Sequence, residues 1–131
     1  LTGIHALVAE DNLLNMEIIC AFLQDLGCIT DCAYNGQEAL NKFNAAPAGT
    51  YQIIFMDVMM PVLDGLEATH LIRTSDHADS KTIPIVAVSA NAFDEDIKRS
   101  LASGMNAHLS KPIEPKKLKE LMTQFFRKPT A

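Results

Sequence analysis

Residues 53–65 read IIFMDVMMPVLDG. Four apolar residues lead into Asp57, and three further apolar residues separate it from a proline and an Asp-Gly turn. The apolar run predicts a buried strand over 51–56, which places Asp57 where the strand ends. A carboxylate in such apolar surroundings is costly to ionise unless a cation lies beside it. The stretch therefore predicts a central strand with a polar site at its exit.

Apolar runs and segments with helical spacing alternate along the whole chain. The runs predict strands over 4–9, 28–33, 51–56, 83–89 and 107–110, and each is followed by a predicted helix. Continuous apolar strands that alternate with helices predict an α/β fold, here a single (βα)5 domain over 1–131 with helices on both faces of a parallel sheet. The residues that mark the five helices are Ile19, Phe22, Leu23 and Leu26; Ala39, Leu40 and Phe43; Leu66, Thr69 and Ile72; Phe93, Ile97 and Leu101; and Leu118, Leu121, Met122 and Phe125.

Composition excludes several classes of function. The formal net charge is −5 and hydrophobic residues make up 48% of the chain, as in a soluble globular domain. Such a charge argues against direct binding of nucleic acid, because no basic face is available to neutralise phosphates. The apolar runs are shorter than the roughly 18 residues of a membrane-spanning helix, so we expect a cytoplasmic domain without membrane contact.

The three cysteines are Cys20, Cys28 and Cys32, and their spacing matches no metal-ligand pattern. On a strand, Cys28 and Cys32 would lie roughly 13 Å apart. That separation exceeds the roughly 7 Å limit between the α-carbons of a disulfide. We therefore expect three packed thiols in a reducing compartment.

Polar residues follow four of the five predicted strands. Glu10 and Asp11 follow the first strand, Asp57 the third, Ser89 ends the fourth, and Lys111 follows the fifth. In open parallel sheets, ligands bind beyond the carboxyl ends of the strands, where the strand order reverses. If the second strand lies outside the first, the order is 2-1-3-4-5 and these side chains meet at one edge.

The charges of these residues indicate what they bind. Glu10, Asp11 and Asp57 sum to −3, and Lys111 reduces this to −2, which one divalent cation would neutralise. Oxygen ligands suit Mg²⁺, or Mn²⁺, better than zinc. The Lys111 ammonium and the Ser89 hydroxyl favour an anion beside the metal, and a phosphoryl group fits both.

Other interpretations are open for the single motifs. Asp11 or Asn12 could simply cap the first helix. The chain has no GxxxxGK[ST] or GxGxxG nucleotide motif. Phosphatases with an aspartyl nucleophile often carry a second aspartate two residues later, where this chain has Met59.

Over essentially its full length, the chain resembles the receiver domain of two-component response regulators, which has a flavodoxin-like fold. The resemblance is carried by Glu10-Asp11, by MDVMMPVLDG around Asp57, by VSANAF from Val88 and by LSKPIEP around Lys111. The wording of these motifs is most similar to receivers of hybrid sensor histidine kinases.

The resemblance implies a phosphorelay module that takes a phosphoryl group from a phosphohistidine onto Asp57. Asp11, Asp57 and the backbone carbonyl of Met59 would bind Mg²⁺, and Glu10 would reach it through water. The phosphodonor would be a histidine kinase or a histidine phosphotransfer domain. Such a domain catalyses its own phosphorylation and dephosphorylation and is monomeric or weakly dimeric, while its parent could be a membrane-anchored kinase.

The family also implies roles after phosphorylation. Lys111 would pair with the phosphoryl oxygens, the Lys111-Pro112 bond would be cis, and Ser89 would bind a phosphoryl oxygen and switch the surface over the fourth helix and fifth strand. Gly65 would serve a turn that needs positive φ. His108 stands where the family usually has its switch Tyr or Phe, and a histidine titrates near neutral pH.

Further positions carry weaker expectations. Met59 and Asn91 would influence access of water to the acyl phosphate. His5, His70 and His77 are interpreted as surface or packing residues.

Three alternatives stay open for the function. The chain could be a pseudo-receiver that only docks partners, the receiver of a separate response regulator without its effector domain, or a small Mg²⁺-dependent phosphatase.

Overall fold

A computed structural model describes residues 1–90 and 93–126. Strands and helices alternate along the chain, which confirms the predicted β-α order. The first four strands begin one or two residues later than predicted, and the fifth begins at the predicted residue. None of the described helices has the length and apolar character needed to cross a membrane. The elements are β1 His5–Ala9, α1 Leu13–Asp25, β2 Ile29–Ala33, α2 Gly36–Ala45, β3 Ile53–Asp57, α3 Gly65–Arg73, β4 Ile85–Ser89, α4 Asp94–Ala102, β5 Ala107–Ser110 and α5 Pro115–Phe126.

The five strands form one parallel sheet in the order β2-β1-β3-β4-β5, as predicted. The order reverses between β1 and β3, where Ala9 pairs with Met56. On the other side of β3, Asp57 pairs with Val88. The residues that follow β1, end β3 and end β4 therefore emerge side by side at the carboxyl edge of the sheet.

Each face of the sheet has its own apolar core, because alternate residues of a strand point to opposite faces. On one face, Val8, Phe55 and Val86 pack with α1 and α5. On the other, Leu7 and Ile54 pack with residues of α2 and α3. The central strands are buried on both faces, which accounts for their continuous apolar sequence.

Helix α4 differs from its prediction. The helix is present, but Phe93 and Leu101 are 71% and 47% exposed, so they do not form a stripe that faces the core. Ser100 is its buried residue, and the Ser100 hydroxyl donates to the carbonyl of Asp96 in the preceding turn. The small face of α4 packs inward, Ile97 is half-buried, and Phe93 and Leu101 point to solvent, which a periodic count of apolar residues does not distinguish.

Side-chain caps fix where the helices begin. Asn12 accepts a hydrogen bond from the Asn15 amide at 3.0 Å, so Asn12 rather than Asp11 caps α1. Asn35 caps α2 and Asp64 caps α3. Asp11 is thus not needed for capping.

The interpretation of three histidines as surface or packing residues agrees with the structure. The ring of His5 packs edge-on against Tyr51, and the ring of His77 packs against Phe43. His70 lies on the exposed side of α3.

A polar cluster joins β1, β2 and the chain before β3. The hydroxyl of Tyr51 donates to Asp31 at 2.7 Å, and His5 Nε2 lies 3.2 Å from the same carboxylate. The hydrogen bond from Tyr51, with a smaller contribution from His5, lowers the pKa of Asp31. Burial and the Asp31 carboxylate raise the pKa of Tyr51. The cluster ties three segments together through one ionised carboxylate.

Acid is expected to remove the stabilisation from Asp31. Because its folded pKa lies below the ordinary value of about 3.9, the stabilisation is complete above that pH and is lost as pH falls through the folded pKa. Above that pH, the free energy of unfolding of the unaltered chain should exceed that of Asp31→Asn by at most about 1 kcal/mol, since water screens this partly exposed carboxylate. Urea unfolding between about pH 2.5 and 5.5 measures the difference.

Tyr51→Phe is the control for that measurement. It removes the hydroxyl that is the main cause of the lowered pKa of Asp31. When Tyr51 is already Phe, the loss of stability caused by Asp31→Asn should therefore depend less on pH. A difference that stays the same down to the lowest pH would contradict this account of the cluster.

Candidate functional site

Three carboxylates meet at the carboxyl edge of the sheet. Glu10 and Asp11 follow β1 and Asp57 ends β3, and one carboxylate oxygen from each lies within 4.8 Å of the others. Glu10 is fully buried and Asp57 is 3% exposed, whereas Asp11 lies open to solvent. The site thus has a buried base of two carboxylates and an exposed third one at its mouth.

Lys111 reaches this cluster from the end of β5. Its Nζ lies 2.8 Å from Asp57 Oδ2 and 2.8 Å from Glu10 Oε1. The Lys111 amide donates to the Ser89 carbonyl at 2.8 Å, which anchors the loop to the end of β4. The Lys111-Pro112 bond is cis, in agreement with the resemblance. The prediction that these strand ends meet at one edge is confirmed.

The electrostatics show that one lysine does not fully compensate the carboxylates. Burial, together with the neighbouring Asp57, raises the pKa of Glu10 despite the contact with Lys111. Burial alone would lower the pKa of Lys111, but its contacts with Asp57 and Glu10 raise it overall. The contacts thus favour the charged ammonium of Lys111, and the formal charge of the three carboxylates and Lys111 is −2, which a bound cation would offset.

The loop after β3 positions the Asp57 carboxylate. The Met59 amide donates to Asp57 Oδ1 at 3.1 Å, while Oδ2 accepts from Lys111. Further along the loop, Val62 has a φ of 68°, a conformation that is strained for a β-branched residue. Strained backbone of this kind is common in loops at functional sites.

The expectation that Gly65 takes a positive φ is wrong. Gly65 is the first residue of α3 and is not among the glycines with positive φ, whereas Val62 takes the left-handed conformation in this loop. A Cβ on Gly65 would lie 2.1 Å from the Asp57 carbonyl oxygen. Glycine is needed here because α3 begins in direct contact with the backbone of the acceptor strand.

A cleft of about 620 Å³ opens beside the carboxylates. Its wall combines the loop after β3 with the ends of β1 and β4 and with α4. The side chain of Met59 is 75% exposed at this cleft. The polar and flexible residues that line it include Asp11, Met59, Asp64, Ser89, Asp96 and Arg99.

Sequence reasoning did not find three of these residues. Asp64 is interpreted from the sequence only as part of an Asp-Gly turn, and in the structure it caps α3. Asp96 and Arg99 form an ion pair one turn apart on α4, a spacing that usually marks a solvated helix face. The helical spacing of the pair was a visible signal, but nothing in the sequence shows that α4 borders the cleft.

His108 lies apart from the carboxylates. It pairs with Ala87 in the middle of β4, on the sheet face that carries the second core. Its Nε2 is buried and has no hydrogen-bond partner among the residues that the structure describes. Asn91, which was expected to influence access of water, lies outside the described residues.

The donor set fits Mg²⁺. Three carboxylates offer oxygen ligands from two neighbouring strand ends, and their local charge with Lys111 is −2. Exposure of Asp11 and of the cleft leaves room for the water ligands that Mg²⁺ retains. No sulfur or imidazole ligand that would favour zinc belongs to this cluster.

Mg²⁺ is expected to stabilise the chain against heat. Binding to the folded carboxylate cluster relieves the repulsion between Glu10, Asp11 and Asp57, so the melting temperature should rise by several degrees in millimolar Mg²⁺ and fall back with EDTA. Asp11→Asn should remove most of the rise. Asp31→Asn, which changes a carboxylate in the middle of β2 that does not belong to the cluster, is the control and should keep the rise. An equal rise in Asp11→Asn would contradict a site at this edge.

A comparison with family models gives one clear match. The model of the response regulator receiver domain matches residues 6–123. These residues include β1 except its first residue, all of β2 to β5, the three carboxylates and Lys111.

Similar curated proteins are sensor kinases. The osmosensing histidine protein kinase SLN1 of Saccharomyces cerevisiae is 44% identical over 127 residues, which are 95% of this chain and 10% of that protein. The hybrid signal transduction histidine kinase L of Dictyostelium discoideum is 35% identical over 120 residues, 91% of this chain and 7% of that protein. The chain thus spans a tenth or less of these two relatives.

Solved structures agree in fold and in sequence. The receiver domain of sensor histidine kinase PA1611 from Pseudomonas aeruginosa has a TM-score of 0.84 and 33% identity, over 95% of this chain and 98% of that one, and its structure holds a magnesium ion in the active-site cleft. A chain in the co-crystal structure of the Saccharomyces cerevisiae phosphotransfer protein Ypd1 with the receiver domain of Ssk1 has a TM-score of 0.82 and 32% identity, over 95% of this chain and 89% of that one.

Proposed function

The chain belongs to the response regulator receiver domain family of two-component signalling, and we propose that Asp57 accepts a phosphoryl group from a phosphohistidine in the presence of Mg²⁺. The observation that carries this proposal is the placement of one buried carboxylate between a lysine and a second carboxylate. Asp57 has Lys111 on one oxygen and the Met59 amide on the other, beside Glu10 and Asp11. This environment orients the nucleophile and surrounds it with ligands for a divalent ion.

The chemistry needs no other nucleophile. A carboxylate oxygen of Asp57 attacks phosphorus, the new O–P bond forms an acyl phosphate, and the P–N bond to the donor imidazole breaks with its electron pair returning to nitrogen. Asp11, Asp57 and the Met59 carbonyl, with Glu10 through water, would hold Mg²⁺, which would supply positive charge for the phosphoryl oxygens. Lys111 is already within 2.8 Å of Asp57 and supplies a second positive charge.

Ser89 would act after transfer. It ends β4 and lines the cleft, where its hydroxyl is able to donate to a phosphoryl oxygen. Movement of Ser89 toward that oxygen would change the surface of α4 and β5, with His108 on β5 as part of the response. This step would be contradicted if the surface of α4 and β5 had the same structure in the presence and in the absence of a phosphate mimic.

A phosphodonor of low mass tests the central step. We expect the chain with Mg²⁺ and phosphoramidate to gain the mass of one phosphoryl group, as read by intact mass spectrometry. EDTA should prevent the gain, because the carboxylate cluster then lacks its counter-charge. A pseudo-receiver would show no gain under either condition, and a phosphatase would release phosphate from esters with many turnovers.

We further propose that the donor is a histidine phosphotransfer domain or histidine kinase and that the domain works in the cytoplasm as the receiver of a hybrid kinase. Support comes from the kinase relatives and from the Ypd1 complex that contains a similar receiver. Transfer of labelled phosphate from a phosphorylated phosphotransfer domain onto the chain is the test. Uptake from phosphoramidate without uptake from any phosphohistidine protein would retain Asp57 as acceptor and reject this choice of donor.

A further inference from the structure

Three sulfur atoms lie together between α1 and β2, away from the carboxylates. Cys20 Sγ is 3.7 Å from Met16 Sδ, one helical turn earlier, and 3.8 Å from Cys32 Sγ on β2. Met16 and Cys20 are buried in the core under α1, and Cys32 is partly exposed at its margin. The sequence spacing hid this cluster, because a helix and a strand supply its members.

The separations fit a small ion between the sulfurs. A metal–sulfur distance of about 2.3 Å in a flat, three-coordinate site separates the sulfurs by about 4 Å. The two observed separations are within about 0.3 Å of this value. Two thiolates and a thioether are soft ligands, which select Cu(I) over hard divalent ions. Zinc prefers four ligands, and the cluster offers three.

The charge and access of the cluster also suit a monovalent ion. Two thiolates and one monovalent cation have a net charge of −1, and the ammonium of Lys42 contacts the backbone carbonyl of Cys32. Partial exposure of Cys32 gives the ion a route from solvent to the buried Cys20. An entry path is one requirement of a protein metal site.

The same pair of thiols could instead form a disulfide, but the environment favours metal binding. Burial and the neighbouring Cys32 raise the pKa of Cys20 to about 11, which disfavours the thiolate that either reaction needs, so the difference between them lies in Met16. Met16 contributes nothing to a disulfide, whereas it completes a three-sulfur ligand set.

We propose that Met16, Cys20 and Cys32 form a binding site for a soft monovalent cation of the Cu(I) class. Binding displaces the two thiol protons and leaves the cation shared by two thiolates and one thioether. The bound ion joins α1 to β2, and α1 begins directly after the acidic pair of the carboxylate site. The proposal is independent of phosphorylation at Asp57.

Silver(I) is the probe, because it binds thiolates without oxidising them. Native mass spectrometry of the reduced chain should show one bound Ag(I), and the melting temperature should rise by several degrees. Cys32→Ser should abolish binding. Met16→Leu should weaken the affinity by more than roughly tenfold, because a tenfold loss is already typical when a residue that only contacts a metal ligand is replaced. Cys32 is partly exposed, so its variant should fold, which circular dichroism checks.

Cys28→Ser is the matched control. Cys28 is also buried beside β2, but its thiol lies 3.9 Å from the Leu1 carbonyl and takes no part in the cluster. It should bind Ag(I) like the unaltered chain. The proposed site would be overturned if Cys32→Ser bound Ag(I) as well as the unaltered chain does, or if Cys28→Ser lost as much binding as Cys32→Ser. Recovery of a metal-free chain two hydrogens lighter after exposure to Cu(I) and air would assign the pair to disulfide chemistry and also overturn it.

Discussion

Replacement of Asp57 by asparagine is expected to abolish phosphoryl uptake while leaving the fold intact. Asparagine keeps the shape of the side chain and an oxygen for the Met59 amide, but it loses the nucleophilic carboxylate. Intact mass spectrometry with Mg²⁺ and phosphoramidate should show no gain in mass. We expect a complete loss, because Asp57 carries the proposed nucleophile, whereas Glu10, which is also buried and also contacts Lys111 and a loop amide, is proposed to reach the metal through water.

The same substitution is expected to leave the metal-free chain as stable as before, or about 1–2 kcal/mol more stable. The substitution removes the Asp57 charge, which adds to burial, the larger cause, in raising the pKa of Glu10. Lys111 loses one carboxylate partner but keeps Glu10 at 2.8 Å, so no buried charge is left alone. Urea unfolding in EDTA measures the difference.

Asp64→Asn is the control for both measurements. Asp64 lines the same cleft and caps α3, and asparagine is an equally good cap. This variant should be phosphorylated and should unfold like the unaltered chain. Phosphorylation of Asp57→Asn at the normal extent would contradict the assignment of the acceptor.

Gly65→Ala is expected to be strongly destabilising. The new Cβ would lie 2.1 Å from the carbonyl oxygen of Asp57 and 2.9 Å from its carbonyl carbon. Because the contact is with backbone, no rotation of a side chain relieves it. We expect a loss of about 3 kcal/mol or more in the free energy of unfolding, together with slower phosphorylation from a displaced Asp57.

Gly49→Ala separates steric contact from backbone strain. Gly49 has a φ of 83° and no neighbour within 4 Å of its would-be Cβ, so alanine there costs only about 1–2 kcal/mol of strain. If Gly65→Ala is as stable as Gly49→Ala, α3 must shift to accommodate the methyl group. The contact with Asp57 would then not be the reason that residue 65 is glycine.

The fold could be predicted from the sequence because each of its signals is local. Continuous apolar runs mark strands that the structure buries on both faces, and helical spacing marks the segments between them. The reversal of strand order was inferred from polar residues at the strand ends, and the sheet confirms it. The same rule predicted that Glu10, Asp57 and Lys111 would meet.

What the sequence did not predict depends on distance through space. The contact of Gly65 with Asp57 arises when the loop returns to β3, whereas the sequence indicates only a turn. The outward direction of Phe93 depends on which side of α4 meets the sheet. The sulfur cluster joins Cys20 and Cys32 across two elements, so the spacing of Cys28 and Cys32 along one strand gives no sign of it.

The most direct test of the proposed function is chemical mapping of the phosphorylated residue. Borohydride reduces an acyl phosphate to an alcohol, so peptide mass spectrometry after treatment with Mg²⁺, phosphoramidate and borohydride identifies the acceptor. We predict conversion of Asp57 to homoserine, dependent on Mg²⁺, with Glu10 and Asp11 unchanged. Conversion at either of those residues instead, or a stable phosphate on a histidine such as His108, would contradict the proposal.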